Sequence, residues 1–185
     1  MTLPSKVRIF EVGARDGLQN EKQMVPADIE VELIERVVDA GATAIVSGSF
    51  VSPKWVPQMA DTADVMAKVS RYDDVTYAVL TPNMKGYEGA IAAKADEIEI
   101  FSAASEAFNL KNINCSIAES LERFAPVTDA AKTAGIPYRA SISCALGCPF
   151  EGEVAAETVA EVAKKLYDMG AYEVSIADTI GVGTP

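Results

Sequence analysis

The sequence contains no histidine, and this absence excludes several large classes of catalytic site. Imidazole is the side chain that supplies a neutral nitrogen base with a pKa near 7. Ser-His-Asp triads, Cys-His pairs and zinc or iron sites with imidazole ligands therefore cannot be built from these 185 residues alone. Whatever chemistry the chain performs by itself must use carboxylates, arginine, lysine, hydroxyls or thiols.

Long apolar runs and an excess of basic residues are also lacking. No segment approaches the roughly 18 apolar residues of a membrane span, and the first residues lack the apolar stretch of a secretion signal. We therefore expect a cytoplasmic protein that has no membrane partner. The 16 Lys and Arg residues against 27 Asp and Glu residues give a net charge of -11. Because this charge repels phosphate backbones, we expect no nucleic-acid partner.

Cysteine is scarce, with Cys115, Cys144 and Cys148 as the three examples. An odd number of cysteines without a secretion signal argues against a disulfide framework, so we expect reduced thiols. Cys144 and Cys148 lack the further ligands that a zinc site requires. Packing or loop roles are the simpler interpretation of these two residues.

Short β-rich runs alternate with longer segments of helical periodicity along the chain. This alternation predicts an α/β fold whose parallel strands are joined by right-handed crossovers. The predicted strands cover 7–13, 42–50, 75–80, 97–103, 138–144 and 172–178. The predicted helices cover 27–41, 61–72, 84–95, 116–135 and 155–170.

Several residues predict where these helices begin and end. Ser116 followed by Glu119 forms the pattern of a capping box. Glycines 41, 135 and 170 stand at the positions of left-handed C-caps. Thr184 and Pro185 have the pattern of an N-cap and a first helical residue, so we expect the chain to stop at a helix start.

The alternation of predicted strands and helices is compatible with both a doubly wound sheet and a (β/α)8 barrel. The segment GARDGLQ follows the first predicted strand, where a dinucleotide-binding protein has G-x-G-x-x-G. Six units in 185 residues average about 31 residues each. Eight such units would need about 250 residues, the usual barrel length. If the fold is a barrel, the sequence therefore covers six of its eight units.

In parallel α/β folds, ligands bind at the loops that follow the strands. Four of these loops carry a lysine in an otherwise acidic chain, which favours an anionic ligand such as a phosphate or carboxylate, although solvated lysines are common in loops. The four are Lys22, Lys54, Lys85 and Lys111. Other polar residues in these loops include Gln19, Ser105, Glu106, Asn112 and Thr179.

Three further polar residues allow two interpretations each. Arg15 and Asp16 can form a structural ion pair, which the spacing alone favours. Alternatively, Asp16 can bind Mg2+ or Mn2+ while Arg15 stabilises the oxygen of a developing enolate. Asp178, at the end of a predicted strand, either caps the next turn or performs acid/base chemistry.

Six strings together resemble the hydroxymethylglutaryl-CoA lyases. These enzymes belong to a group of metal-dependent lyases and condensing enzymes built on a (β/α)8 barrel. The strings are EVGARDGLQNEK at 11–22, SFVSPKWVPQMAD at 49–61, VLTPNMKGYEGA at 79–90, KNINCSIAES at 111–120, SCALGCPFEG at 143–152 and ADTIGVGTP at 177–185. The resemblance implies a (β/α)8 barrel of which residues 1–185 form a partial catalytic domain, with about six βα units, truncated at the start of the sixth helix.

The resemblance implies cleavage of 3-hydroxy-3-methylglutaryl-CoA to acetyl-CoA and acetoacetate with a divalent cation, Mg2+ or Mn2+, as cofactor. It implies that Arg15 and Asp178 are catalytic and that Asp16 is a metal ligand. It also implies that Gln19 lies near the substrate and that Lys22 lies towards the CoA. The partner is thus an acyl-CoA substrate, and we expect a homodimer or another oligomer.

Two departures from the family pattern bear on these roles. Val46 stands where the family has a glutamate that supports the cation. The family's two histidine ligands, its asparagine ligand and its catalytic cysteine loop are expected beyond residue 185, so Cys148 is not the catalytic cysteine. These departures leave open a related acyl-CoA condensing or cleaving enzyme, or a catalytically silent barrel fragment that acts through a partner chain.

Overall fold

The computed structural model describes residues 4–184, which contain five strands and six α-helices. Pro185, predicted as a first helical residue, lies outside the described residues. The strands are β1 (Ala44–Ser49), β2 (Thr76–Leu80), β3 (Glu97–Ala103), β4 (Tyr138–Ser143) and β5 (Val174–Ile176). The helices are α1 (Ala27–Asp39), α2 (Thr62–Lys68), α3 (Met84–Ala92), α4 (Glu106–Ile113), α5 (Ile117–Ala134) and α6 (Ala156–Asp168).

The chain divides into two compact units. Within the described residues, one unit comprises the chain up to Thr81 together with Lys85–Glu97, and the other comprises Pro82–Met84 together with the chain from Ile98 onwards. In the first unit, β1 and β2 pair in parallel, and all six residues of β1 are buried. A parallel strand buried on both faces needs apolar residues at successive positions, and Ala44, Ile45 and Val46 supply them.

The end of β1 is joined to the start of α2 by the side chain of Thr62. Its Oγ1 accepts a hydrogen bond from the Ser49 N–H (3.1 Å) and lies 3.1 Å from the Ser49 carbonyl. Gly48 makes this close approach possible, since a Cβ there would come within 2.6 Å of Thr62 Cγ2. Thr62 therefore fixes the segment that follows β1.

The prediction of a strand over 7–13 is wrong except at one residue. Glu11 forms a parallel bridge to Ile45, donating its N–H to Ala44 O (2.9 Å) and accepting from Val46 N (2.8 Å). The preceding residues form no ladder with β1, and Val7 and Ile9 are 67% and 73% exposed. A β-rich run becomes a strand only where a neighbouring strand pairs with its backbone, and β1 pairs with this run at Glu11.

In the second unit, β3, β4 and β5 pair in parallel, and Ile98, Ile100 and Ile142 are fully buried. Glu99 on β3 stands opposite Arg139 on β4, and their side chains form a buried ion pair at 3.1 Å. The Ser141 hydroxyl also hydrogen bonds to Glu99. Charges buried between strands are tolerated because they are paired in this way.

The predicted helix signals of α5 are confirmed. Ser116 accepts from the Glu119 N–H (3.1 Å), while the Glu119 carboxylate accepts from the Ser116 N–H (2.7 Å), which completes the capping box. Gly135 ends the helix with φ of 69°. Gly41 and Gly170, after α1 and α6, also have positive φ, as predicted.

Helix α4 corrects the interpretation of Glu106, Lys111 and Asn112 as loop residues, whereas Ser105 precedes the helix and lies in the loop, as predicted. Ser105 accepts a hydrogen bond from the Phe108 N–H (3.0 Å) and so caps the helix. Asn114 ends it in the left-handed conformation. An eight-residue helix needs only these two end signals and some apolar contact. A search for polar residues after strand ends does not take such end signals into account. Within residues 4–184, no helix is long and apolar enough to span a membrane.

Candidate active site

Arg15 and Asp16 lie in a π-helical turn, Gly13–Gly17, that follows the bridge residue Glu11. The Glu11 side chain orients this turn, because its Oε1 accepts a hydrogen bond from the Gly13 N–H (2.6 Å). The Arg15 and Asp16 N–H groups both donate to the Val12 carbonyl. The turn is thus fixed to the backbone beside β1, where the sequence predicted a ligand-binding loop.

The Arg15 guanidinium and the Asp16 carboxylate form an ion pair, with Arg15 Nη1 2.9 Å from Asp16 Oδ1. The Arg15 side chain is 14% exposed, whereas that of Asp16 is 56% exposed. Arg15 Nε is buried and has no hydrogen-bond acceptor among the described residues. The structural ion pair expected from the spacing is therefore present, and it leaves the buried Nε–H of Arg15 without an acceptor.

Gln19 and Lys22 follow the same turn, Gln19 half-buried and Lys22 exposed. The Asn20 side chain donates to the Asp16 carbonyl (2.7 Å), and Gln58 Nε2 donates to the Glu21 carbonyl (3.0 Å). These bonds hold the chain from Asp16 to Glu21 in place. The first unit thus brings Arg15, Asp16 and Gln19 into one short segment.

The donor set for a divalent cation is incomplete in this part of the molecule. Asp16 contributes one carboxylate, and one of its oxygens already accepts from Arg15. The described residues contain no group of three Cys, Asp or Glu side chains placed to hold a metal ion. Octahedral Mg2+ needs several oxygen ligands, so the residues present do not form a metal site by themselves.

Asp178 belongs to the second unit and follows β5, as predicted. Its carboxylate accepts hydrogen bonds from the Val182 N–H (3.1 Å) and the Gly183 N–H (2.8 Å). These amides, Gly183 first, lower the pKa of the Asp178 carboxyl below its ordinary value. Of its two sequence interpretations, the turn-capping one describes these contacts, while the catalytic role stays a prediction.

Two of the four lysines predicted at the anion-binding edge have aromatic partners. The Lys111 ammonium lies 3.7 Å from the centroid of the Phe150 ring, and Lys54 lies 5.7 Å from that of Trp55. Cation–π contacts of this kind hold a lysine without any anionic ligand. Lys22 and Lys85 are exposed.

Val46 and Ala78 are cross-strand neighbours, and both are fully buried. The alkyl side chain of Val46, at the position where the resemblance implies a glutamate, is therefore buried beside β2. A groove of about 1030 Å3 in the first unit, lined by α2 and α3 residues, contains none of the predicted site residues.

Sequence reasoning missed Glu30, a carboxylic acid on the buried side of α1 that is only 2% exposed. Burial, followed by the negative charge of Asp61, raises its pKa to about 7. Glu30 Oε1 and Asp61 Oδ1 are both buried and lack hydrogen-bond partners in the described structure. The available signal was the spacing, since Glu30 stands one helical turn before the fully buried Ile34.

Comparison with known proteins shows a consistent similarity over the whole chain. The sequence model of the HMGL-like family matches residues 6–185. A protein of Rattus norvegicus named hydroxymethylglutaryl-CoA lyase, mitochondrial, is 59% identical over 184 residues, which are 100% of this chain and 57% of that protein. One of Mus musculus, named 3-hydroxy-3-methylglutaryl-CoA lyase, cytoplasmic, is 56% identical over 99% of this chain and 53% of its own length.

The crystal structure of hydroxymethylglutaryl-CoA lyase from Pseudomonas aeruginosa has a TM-score of 0.96 and 54% identity, covering 100% of this chain and 61% of that one. This similarity confirms the predicted fold class, the α/β fold of the (β/α)8 barrel family. The chain spans between half and two thirds of the length of these three proteins.

Proposed function

Because the chain belongs to the HMGL-like family, we propose that it carries part of the active site of a carbon–carbon lyase. The substrate we propose is 3-hydroxy-3-methylglutaryl-CoA, cleaved to acetyl-CoA and acetoacetate, as the names of the relatives suggest. In this proposal, residues 1–185 form a partial (β/α)8-barrel catalytic domain.

The unused donor of Arg15 is the observation that carries the proposal. A buried N–H without an acceptor costs about 1–3 kcal/mol, so a site that keeps one is stabilised when an oxygen binds there. Arg15 is held in place by Asp16, and its turn is held by Glu11. A fixed guanidinium with a free donor is suited to binding an oxygen that gains negative charge.

Cleavage of the substrate requires such a group. Removing the proton from the C3 hydroxyl releases the C2–C3 bonding electrons to the thioester, whose oxygen becomes an enolate oxygen. We assign the stabilisation of this oxygen to Arg15. The guanidinium acts on this oxygen as a fixed hydrogen-bond donor and transfers no proton to it.

Asp178 supplies a second charge. The amide hydrogen bonds that lower its pKa keep it ionised at neutral pH, which suits a carboxylate that accepts a hydrogen bond from a substrate hydroxyl. We assign Gln19 to substrate binding and Lys22 to the CoA phosphates. The half-buried position of Gln19 beside Asp16 and the exposure of Lys22 support this division.

Asp16 is our candidate ligand for a divalent cation, Mg2+ or Mn2+. Its donor set is incomplete in the described residues, so the ion would need ligands from outside them. No step assigned here to Arg15, Gln19, Lys22 or Asp178 depends on that ion.

A chimera tests the proposal. The matched segment of the Pseudomonas aeruginosa lyase is replaced by residues 1–185, and acetoacetate release from 3-hydroxy-3-methylglutaryl-CoA is measured. We expect activity in the chimera, and a loss of about 100-fold to 1000-fold in kcat on Arg15→Gln, because one preorganised charge at the enolate is removed.

Arg36→Gln is the matched control, since Arg36 is an exposed arginine of the same unit that pairs with Glu32. We expect Arg36→Gln to leave kcat unchanged. A folded chimera without activity on this substrate would contradict the proposed substrate, and assays with related acyl-CoA thioesters would then identify an enzyme of different specificity. Full activity of Arg15→Gln would contradict the role of Arg15.

We also propose an oligomer, with a homodimer as the first expectation, because the large apolar side chains of Val7 and Ile9 are exposed. Light scattering on the purified chain tests this.

A cytoplasmic location remains our proposal. The similarity to the mouse protein named as cytoplasmic supports this location, whereas the rat protein is named as mitochondrial. Cell fractionation decides between the two locations.

A further inference from the structure

The side chain of Trp55, the one tryptophan of the sequence, is open to solvent at the ligand-binding edge of the first unit. Among the large apolar side chains of residues 4–184 it has the highest exposed fraction, 79%. It lies in the loop that follows β1, before the short helical turn Pro57–Met59. An indole buries a large apolar area when it finds a partner, so an open indole at this edge is a candidate ligand contact.

Hydrogen bonds hold the loop of Trp55 in a defined shape. The Trp55 and Val56 N–H groups both donate to the Ser52 carbonyl, at 2.9 and 3.0 Å. At the end of the loop, Thr62 Oγ1 donates to the Met59 carbonyl (3.0 Å). The ring is thus carried by a loop that is already ordered, which lowers the entropy cost of binding a ligand there.

A side-chain hydrogen bond joins this loop to the segment that carries Lys22. Gln58 Nε2 donates to the Glu21 carbonyl (3.0 Å), and Lys22 is the next residue. Consecutive Cα atoms are about 3.8 Å apart, so the Cα of Trp55 lies within about 11 Å of that of Gln58. Trp55 and Lys22 therefore share one edge of the first unit, where we assign Lys22 to the CoA phosphates.

Lys54 supplies a cation beside the Trp55 ring. Its ammonium nitrogen lies 5.7 Å from the ring centroid, close to the outer limit of about 6 Å for a cation–π contact. Both side chains are exposed, so the ammonium can also reach a phosphate oxygen. An aromatic face next to a basic side chain suits a nucleotide, because the base stacks on the ring while the phosphate pairs with the cation.

We propose that Trp55 stacks on the adenine ring of the CoA substrate while Lys54 pairs with a phosphate of the same nucleotide. This rests on the proposed function, because an acyl-CoA is the ligand that brings an adenine nucleotide to this edge. In this arrangement Arg15 and Gln19 contact the acyl part of the substrate. Trp55 contacts its far end and touches no reacting atom.

The position of the adenine ring determines which kinetic constant depends on Trp55. The ring is unchanged between the bound substrate and the transition state, so stacking stabilises both equally. Loss of the indole should therefore raise KM and leave kcat unchanged. This pattern differs from that of Arg15→Gln, for which we expect a loss in kcat.

Intrinsic fluorescence of the 185-residue chain tests the contact directly. Because Trp55 is the one tryptophan, selective excitation of indole reports on this ring alone. The chain is titrated with CoA, with adenosine bisphosphate and with pantetheine, which lacks the nucleotide. We expect saturable quenching by CoA and by adenosine bisphosphate, because both place an adenine on the indole, and no quenching by pantetheine.

Substitutions measured by isothermal titration calorimetry give the size of the effect. Trp55→Leu should raise the Kd for adenosine bisphosphate about tenfold, the effect of one base stacked on an aromatic ring, and Trp55→Phe should restore part of this affinity. Tyr72→Leu is the matched control. Tyr72 is an exposed aromatic residue of the same unit that precedes β2, at the opposite end of the parallel strands, so we expect its Kd to be unchanged.

Lys54→Gln separates the phosphate contact from the stacking contact. We expect this variant to raise the Kd for adenosine bisphosphate about threefold to fivefold, as for one exposed ion pair. Its Kd for adenosine, which has no phosphate, should be unchanged. Circular dichroism verifies that all the variants fold.

The chimera with the Pseudomonas aeruginosa lyase separates this proposal from the proposed function. In an active chimera, Trp55→Leu should raise KM for 3-hydroxy-3-methylglutaryl-CoA about tenfold at unchanged kcat. An active chimera whose KM does not depend on Trp55 would refute the stacking contact and leave the proposed function standing. An inactive chimera whose chain still shows adenine-dependent quenching would refute the proposed substrate and support the nucleotide contact.

Three results with the chain itself would overturn the proposal. The first is the absence of quenching by adenosine bisphosphate, and the second is equal quenching by pantetheine. The third is the emission of a buried indole before any ligand is added, because another protein surface would then cover the Trp55 ring.

Discussion

Replacing Glu30 by glutamine should stabilise the protein at alkaline pH and leave it unchanged at acidic pH. Glu30 is buried in α1 next to Asp61, and its pKa is raised from the ordinary 4.5 to about 7. In the unfolded chain this acid ionises near pH 4.5, whereas in the folded protein it keeps its proton until about pH 7. The folded state therefore binds more protons between these values, so the free energy of unfolding falls as pH rises through this window.

The magnitude follows from the pKa difference. One pKa unit corresponds to about 1.4 kcal/mol, so a difference of between two and three units amounts to about 3 kcal/mol above pH 7. Glutamine has nearly the same shape and does not ionise. Glu30→Gln should therefore raise the free energy of unfolding by up to about 3 kcal/mol at pH 8, with little change at pH 4.5.

Urea unfolding at pH 4.5 and pH 8, followed by circular dichroism, measures this difference. Glu122→Gln, at an exposed position of α5, is the control and should give the same small change at both pH values. An equal effect of Glu30→Gln at both pH values, or a loss of stability at pH 8, would refute the reasoning. Either result would mean that Glu30 is ionised at little cost in the folded state.

Two further predictions concern stability. Gly48→Ala places a Cβ within 2.6 Å of Thr62 Cγ2 and should lower the free energy of unfolding by about 1–3 kcal/mol. Gly17→Ala is the control, because no atom lies within 4 Å of its Cβ, and it should change this free energy by less than about 1 kcal/mol. Thermal or urea unfolding measures both. Ser116→Ala breaks the capping box with Glu119 and should cost about 1 kcal/mol, and an unchanged unfolding midpoint would show that α5 does not depend on its cap.

The sequence predicted β3 with its observed bounds. Residues 97–103 were predicted as a strand, and Ile98, Ile100 and Phe101 supply the β-branched and aromatic side chains that favour one. Residues 7–10 have a comparable run but form no strand, since strand formation also requires a hydrogen-bonding neighbour, which the local sequence does not specify.

In the candidate site, too, contacts between neighbours in the sequence were predictable, whereas contacts that depend on the fold were not. The Arg15–Asp16 ion pair was predictable, because adjacent residues of opposite charge in a turn need no tertiary information to meet. The free Arg15 Nε and the buried Glu30 were not predictable, since each depends on which side chains the fold brings against them. Glu106, Lys111 and Asn112 were predicted in a loop but lie in α4, whose first end signal, Ser105, had been counted among the polar residues of that loop.

The hydrogen bonds of Asp178 affect how substitutions at that residue should be interpreted. Both carboxylate oxygens bind backbone amides of the loop that Asp178 itself begins. Asparagine would turn an amino group towards one of these amides, so donor would face donor and the loop would shift even if the substrate never touched residue 178. Alanine would release both amides. Separating catalysis from loop geometry at this residue therefore requires a readout of the Val182 and Gly183 amides, such as their NMR chemical shifts, beside each rate.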